Sequence, residues 1–306
     1  GNQFKSELPS FLPPPEALRK QPSPEVLHTR TMARDEFVLP ELGEFDATRA
    51  MLKIQDGCNV MCSFCLIPFA RGHERSRLLD DILVEAEWQA ARGHREVVLT
   101  GVNIGQFHSK GVDLGGLIDR LEALDGIDRI RLSSIEPTTV TEPLLERIGA
   151  GRKLCPYLHV PLQSGDDAVL AAMNRPYDVG YFISLIERAR SRVPHLALGT
   201  DLMVGFPGES EQAFQETVAL CSRIPFSYFH VFTYSKRPGT AAAKMRQDVP
   251  SEVARRRAQS LAELSRQKRL AFGEQWIGSS VSVLFEEGET EGLRLGTVRR
   301  PPRGVA

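Results

Sequence analysis

Tryptophan occurs twice in this chain of 306 residues, and cysteine only five times. Five is an odd and small count for a disulfide scaffold, and a chain this long can bury a core without staples. A reducing, cytoplasmic setting is therefore expected, with the cysteines serving chemistry rather than cross-linking. No apolar run approaches the ~20 residues that span a bilayer, so no membrane association is expected. The opening GNQFKSELPS has neither a charged leader nor an apolar stretch, which argues against a signal peptide, and it lacks an initiator Met, as a piece of a longer chain would. Neither sign of charge dominates: 38 Lys and Arg stand against 39 Asp and Glu, for a net charge of −1. The molecule as a whole does not advertise nucleic-acid binding. No Gly-x-Gly-x-x-Gly follows the first strand, which removes support for a dinucleotide-binding fold, and there is no solenoid-type repeat.

Local features carry more. Residues 1–45 hold seven prolines, including Pro13, Pro14 and Pro15, and read as an extended linker. From residue 46 to 273, apolar β-rich runs alternate with amphipathic ones. The strand candidates are MLKIQ, EVVLTGV, RIRLSSI, YLHVPL, LALGTDLMVGF and YFHVFTY. Strands alternating with helices imply an α/β fold with a parallel sheet, here of partial (β/α)6-barrel type. Polar residues gather after each strand: Thr100, Gly101 and Asn103; Ser133, Ser134 and Glu136; Gln163 and Ser164; Gly205 to Glu209; Tyr234 and Ser235. In β/α barrels that end of the strands is where chemistry sits. The run SEVARRRAQSLAELSRQKRLAF reads as a basic helix, and its Arg255, Arg256 and Arg257 are candidates for phosphate contact beside the alternative of a solvated face.

The densest signal is GCNVMCSFCLIPFARG, where Cys58, Cys62 and Cys65 are spaced Cys-x3-Cys-x2-Cys. Three thiolates suit a [4Fe–4S] cube with one iron left open. A structural zinc site wants four protein ligands, and His73 does not complete a familiar zinc spacing. The spacing favours a cluster over zinc. Cys155 and Cys221 have no partner spacing and read as small buried hydrophobes; His159 and His230 read as core histidines.

With Phe64 just before the last cysteine, the triad resembles that of the radical S-adenosylmethionine (radical SAM) enzymes. The strings KIQDGCNVMCSFCLIPFARGHERSR, LHVPLQSGDDAVLAAMNRPY and GTDLMVGFPGESEQAF resemble the methylthiotransferases among them. VLTGVNIG, SSIEPT and YSKRPGTAAAKM resemble the branch acting on threonylcarbamoyladenosine in tRNA, rather than the isopentenyladenosine or ribosomal-protein branches. The resemblance implies one [4Fe–4S] cluster on Cys58, Cys62 and Cys65, with S-adenosylmethionine on its open iron yielding a 5′-deoxyadenosyl radical. It implies that Phe64, Thr100, Gly101, Asn103, Ser133, Ser134, Glu136, Gln163, Ser164, Gly205, Phe206 and Pro207 surround that cofactor or the substrate base. Arg71, Arg75 and Arg175 become candidates for tRNA phosphate or a substrate carboxylate. The implied partners are tRNA and a low-potential electron donor, with a monomeric protein.

Two departures from the family bear on activity. Its members carry an N-terminal domain with three more cysteines, which hold an auxiliary cluster that delivers sulfur. That triad is not among these residues, so the chain as given is expected to bind one cluster and cleave S-adenosylmethionine without completing methylthiolation. Residues 274–306 resemble the start of the family's small tRNA-binding (TRAM-like) β-barrel, with a basic tail of Arg294, Arg299, Arg300 and Arg303 too short to close it.

Overall fold

The computed structural model describes residues 48–246, 248–290 and 293–299, with side chains described as far as residue 284. The proline-rich opening and the last arginines of the tail lie outside the described residues. Six strands form the frame: β1 (Arg49–Lys53), β2 (Glu96–Thr100), β3 (Arg129–Leu132), β4 (Tyr157–His159), β5 (Ala197–Val204) and β6 (Tyr228–Thr233). β1, β2 and β3 pair in parallel, as do β4, β5 and β6. The two triplets meet where Cys155 N donates to Ile130 O and Ile135 N donates to His159 O. All six sequence-predicted strands are present, in their chain order across the sheet.

Side chains alternate between faces with period two. Ala50, Leu52, Val97, Leu99, Ile130, Leu132, Leu158, Leu198, Leu202 and Phe229 point into one contiguous apolar core. Burying each such Leu, Ile or Phe contributes roughly 1.5–3 kcal/mol. The core is covered by α1 (Leu79–Ala91), α2 (Leu114–Ala123), α3 (Glu142–Gly149), α4 (Val179–Arg192) and α5 (Glu211–Arg223). Helix starts are set by capping side chains: Asp113, Thr141, Asp178 and Ser210 each accept a hydrogen bond from the backbone N–H three residues on. Each such cap contributes about 1 kcal/mol. The opposite face of the sheet is polar and carries Lys53, Thr100, Arg131, Tyr157, Asp201 and His230. Among the described residues, no strand pairing joins β1 to β6.

The basic run forms α6 (Ser251–Glu274), and it is not a freely solvated helix. Ala254, Arg257, Leu261 and Ser265 recur at helical spacing and are buried. Ser265 Oγ accepts from Phe229 N and donates to Phe229 O, both at 2.8 Å, fastening α6 to β6. Beyond it, β7 (Ser282–Thr290) and β8 (Leu293–Arg299) pair as an antiparallel hairpin. After WIGSSVSVLFEE, residues 293–299 thus lie in a strand. No helix among the described residues is long and apolar enough to cross a membrane.

Candidate functional site: the cysteine fork at the sheet's C-terminal end

Directly after β1, Gln55–Asp56 pairs antiparallel with Arg75–Ser76 and closes the neck of the cysteine loop. Gly57 sits at φ +73°, and a Cβ there would lie 2.0 Å from His73 O, so only glycine fits. Gln55 is fully buried. Its amide nitrogen donates to Asp56 O and Gly57 O. Its Oε1 accepts from Val102 N and Asn103 N at 2.9 and 2.7 Å. One side chain thereby ties the cysteine loop to the loop after β2. Beside it, Asp56 accepts from Lys53 Nζ at 3.0 Å, Arg71 at 3.1 Å, Arg75 at 2.9 Å and Gly57 N at 3.0 Å. Burial alone would raise the Asp56 carboxyl, but Lys53, the Gly57 N–H and Arg71 outweigh it and hold it below its usual range.

The three thiols are half-buried and unpaired with one another. Each sulfur faces a nitrogen donor. Val60 N lies 3.4 Å from Cys58 Sγ, Ile67 N lies 3.4 Å from Cys65 Sγ, and Arg175 Nη1 lies 2.9 Å from Cys62 Sγ. Donors on sulfur are what a metal–thiolate cluster uses to tune its potential. Burial pushes the Cys58 and Cys62 thiols up; for Cys62 the Arg175 charge and hydrogen bond oppose it. The cysteine loop is locked to the end of the helix Asp167–Ala172 by Ser63 Oγ donating to Ala172 O at 2.8 Å and Asn174 Nδ2 donating to Met61 O at 2.6 Å. Among the described residues, the sulfurs do not form a group with every ligand atom within 4.8 Å of the others. A single tetrahedral zinc would need sulfurs about 3.8 Å apart, so the open fork fits a larger cluster.

The residues after the other strands converge on the same end. Asn103 is 3% exposed, and its Oδ1 is buried without a hydrogen-bond partner, as is Ser133 Oγ. An acceptor and a hydroxyl left unsatisfied at adjacent strand ends suit the amino and carboxylate ends of an amino acid. Thr100 and Gly101 are half-buried beside them, and Gly101 is required because a Cβ would lie 2.9 Å from Gln55 O. Ser134 is exposed. Glu136 accepts from Arg175 Nη2 on both carboxylate oxygens, at 2.6 and 2.7 Å, and burial lifts its carboxyl above the usual range although Arg175 opposes this. Gln163 sits at φ +69° and belongs to the sheet through a bridge to Leu202. Ser164 is buried and accepts from Asp166 N at 3.3 Å.

Three of the candidate residues are held within the fold itself. The Phe206 ring is fully buried, edge-on to Phe64 at 6.4 Å and to Tyr234 at 5.5 Å, so of Phe206 and its neighbour Pro207, both buried, Phe206 offers a ligand its backbone alone. The Gly205 N–H donates to Glu209 Oε2 at 2.7 Å and is not open to a ligand. Gly205 is glycine because φ is +75° and a Cβ would lie 2.6 Å from Ala254 Cβ. Arg257 is 6% exposed, with its guanidinium on Glu209 at 2.6 Å and Glu211 at 3.1 Å and stacked over Phe214, so it does not reach a phosphate.

Other basic candidates divide. Arg175 is buried against Cys62, Glu136 and Tyr177 rather than facing solvent. Arg71 and Arg75 lie at the neck on Asp56, with 31% and 14% of their side chains exposed. Arg255 and Arg256 are exposed on α6, and Arg255 lines a cleft with Gly205, Tyr234 and Lys236. Gln55 and Tyr177 were not singled out by the sequence. Tyr177 Oη accepts from Arg175 Nε and donates to Pro161 O at 2.6 Å, which fixes Arg175. The only local signal for Gln55 was a polar residue ending an apolar strand just before Asp-Gly. As expected, Cys155 and Cys221 are buried. His230, by contrast, is exposed rather than in the core.

Comparison with known proteins bears on the fold and the fork together. Among solved structures, methylornithine synthase superposes with a TM-score of 0.52 at 14% identity, covering 74% of this chain and 69% of that one. Streptococcus suis SuiB bound to S-adenosylmethionine gives 0.52 at 14% identity, covering 72% and 48%. At that identity they establish the fold. Sequence relatives are more similar. A protein of Cereibacter sphaeroides called tRNA-2-methylthio-N(6)-dimethylallyladenosine synthase is 38% identical over 298 residues, covering 97% of this chain and 67% of its own length. A protein of the same name from Magnetococcus marinus is 40% identical over 290 residues, covering 89% and 65%. The chain thus spans about two thirds of the length of these relatives. The radical SAM superfamily profile matches residues 52–221, from β1 through the cysteine fork to α5, and the chain belongs to that superfamily.

Proposed function

We propose that this chain is the radical core of a tRNA methylthiotransferase, which places a methylthio group on an adenosine already substituted at N6. The superfamily binds a [4Fe–4S] cluster and S-adenosylmethionine, and together they supply a carbon-centred radical that removes hydrogen from a substrate. The observation that carries the assignment is the fork of Cys58, Cys62 and Cys65, each sulfur facing a nitrogen donor, with the unsatisfied Asn103 Oδ1 and Ser133 Oγ at the neighbouring strand ends. In this reading the three cysteines hold the cluster. Asn103 and Ser133 receive the amino-acid end of the cofactor, and Arg255 and Arg256 contribute phosphate contacts.

For the substituent we propose threonylcarbamoyl, on the strings VLTGVNIG, SSIEPT and YSKRPGTAAAKM. A second reading, dimethylallyl, is favoured by the names of the relatives at 38–40% identity. The 306 residues hold no second cysteine triad, since Cys155 and Cys221 are separately buried. This chain alone is therefore expected to cleave S-adenosylmethionine but to yield no methylthio product.

The test is anaerobic reconstitution with iron and sulfide, followed by electron paramagnetic resonance of the reduced protein. A cubane signal that changes with S-adenosylmethionine and is lost in Cys62→Ala supports the radical core. A zinc-loaded protein, or a cluster indifferent to the cofactor, refutes it. Binding to anticodon stem–loop RNAs bearing threonylcarbamoyladenosine or dimethylallyladenosine then decides the substituent by the tighter partner.

A further inference from the structure

The polar face of the sheet holds a second cluster, unused by the chemistry above. His159 on β4, Asp201 on β5 and His230 on β6 bring their ligand atoms within 4.8 Å of one another. His230 stands directly opposite Asp201 in the parallel register. His159 is 4% exposed; its Nδ1 lies 3.0 Å from Tyr228 Oη, which lies 2.6 Å from Tyr157 Oη. The other ring nitrogen, Nε2, is 3.0 Å from Asp201 Oδ1 but makes no hydrogen bond. Gly199 makes room for this arrangement, since a Cβ there would lie 2.6 Å from Tyr228 Oη and 2.7 Å from His159 Nδ1.

Alongside runs an aromatic stripe. Tyr228, His230 and Phe232 occupy alternate positions of β6, with ring centroids 5.2 and 6.4 Å apart. Phe232 is 52% exposed. Exposed rings at alternate strand positions are a platform on which unpaired nucleic-acid bases stack.

We infer that this face is the subsite for the target base, an adenine turned out of its RNA strand. The inference rests on the tRNA reading above and adds the residues that recognise the base. Asp201 is an acceptor and takes the exocyclic N6–H, which both a threonylcarbamoyl and a dimethylallyl adenine retain. His159 Nε2, buried and unsatisfied beside it, is completed by a ring nitrogen of the base. His230 and Phe232 supply the stacking surface. A carboxylate at this point rejects bases that present a carbonyl there, because two acceptors would face each other. Tyr228 and Tyr157 are positioning residues that hold His159.

The test measures binding of the reconstituted full chain to RNA stem–loops with one unpaired adenine, or with purine in its place, which lacks the exocyclic N–H. The wild type is expected to prefer adenine about tenfold or more, the loss expected when a site built for a hydrogen bond goes unpaired. Asp201→Ala is expected to erase that preference and Asp201→Asn to restore part of it. Phe232→Ala and His230→Ala, both at exposed positions, are expected to weaken binding to both RNAs about tenfold while keeping the preference. Iron content and thermal melts confirm that the variants fold. If the wild type neither binds nor reacts with any stem–loop, the tRNA reading falls, and this inference with it. If the wild type acts on RNA and the Asp201 and Phe232 variants bind as it does, only the subsite falls. Stoichiometric Zn2+ held by these residues, in a chain whose three fork cysteines are replaced by serine, also overturns it.

Discussion

Arg175 joins Cys62 to Glu136: one Nη lies 2.9 Å from the sulfur, while the other takes both carboxylate oxygens at 2.6 and 2.7 Å. The Arg175 side chain is 5% exposed, so this positive charge is felt at the sulfur with little screening. Arg175→Ala is expected to move the midpoint of a cluster at the fork to more negative potential, and Glu136→Gln to more positive. A redox titration followed by electron paramagnetic resonance reads both, and shifts of the same sign in the two variants would contradict the relationship. Arg175→Ala also strands a buried carboxylate, at a cost of about 3–5 kcal/mol in stability.

Asp56 gives a pH dependence with a definite sign. Its carboxyl lies below the usual range in the folded protein. Its contribution is therefore fully present above about pH 4, the unfolded value, and is lost as pH falls through the folded one. Asp56→Asn is expected to cost roughly 1–3 kcal/mol at neutral pH, since Arg71 and Arg75 lose their common anion. The difference from wild type should shrink toward acid in denaturant titrations. A constant difference from pH 7 down to pH 3 would count against it.

Gly205 is held by two constraints, and they can be separated. Its φ of +75° strains any side chain, and its Cβ position is filled by Ala254 on α6. Gly205→Ala is expected to destabilise by about 1–3 kcal/mol. Adding Ala254→Gly should recover the steric part and not the backbone part. Full recovery in thermal melts would mean that φ contributes nothing.

Neighbouring arginines on α6 should behave as different residues. Arg257→Ala leaves Glu209 buried without its counter-charge, and a loss of about 3–5 kcal/mol is expected with no specific change in RNA binding. Arg255→Ala and Arg256→Ala, at exposed positions, should leave the melt unchanged and lower the slope of log affinity against log salt by about 0.7–0.9 for each phosphate no longer neutralised. A salt slope that ignores both substitutions would remove α6 from the RNA surface.

The frame was legible because its signals are local. Short apolar β-rich runs marked β1 to β6, amphipathic runs between them marked the helices, and the spacing Cys58, Cys62, Cys65 marked the fork. What was not legible depends on partners distant in sequence. Arg175 meets a cysteine 113 residues away, and Gln55 meets Val102 and Asn103 across 47 and 48. Arg255 to Arg257 look equivalent in a basic run, yet helical rotation turns one of the three inward onto Glu209. His230 looked like core within YFHVFTY, because alternation does not say which face is covered.

Met51 and Phe232, 58% and 52% exposed, stand on the first and last strands of the frame, which no pairing joins among the described residues. A closed cylinder admits only what can travel down its axis, so its guests are small and free. A trough with one side open can instead receive a single residue still attached to its polymer, with the chain on either side running out along the gap. Leaving two sheet edges unpaired is a liability in a protein that has no use for it. In the tRNA reading proposed above, it is what lets the guest be one link of a macromolecule rather than a metabolite.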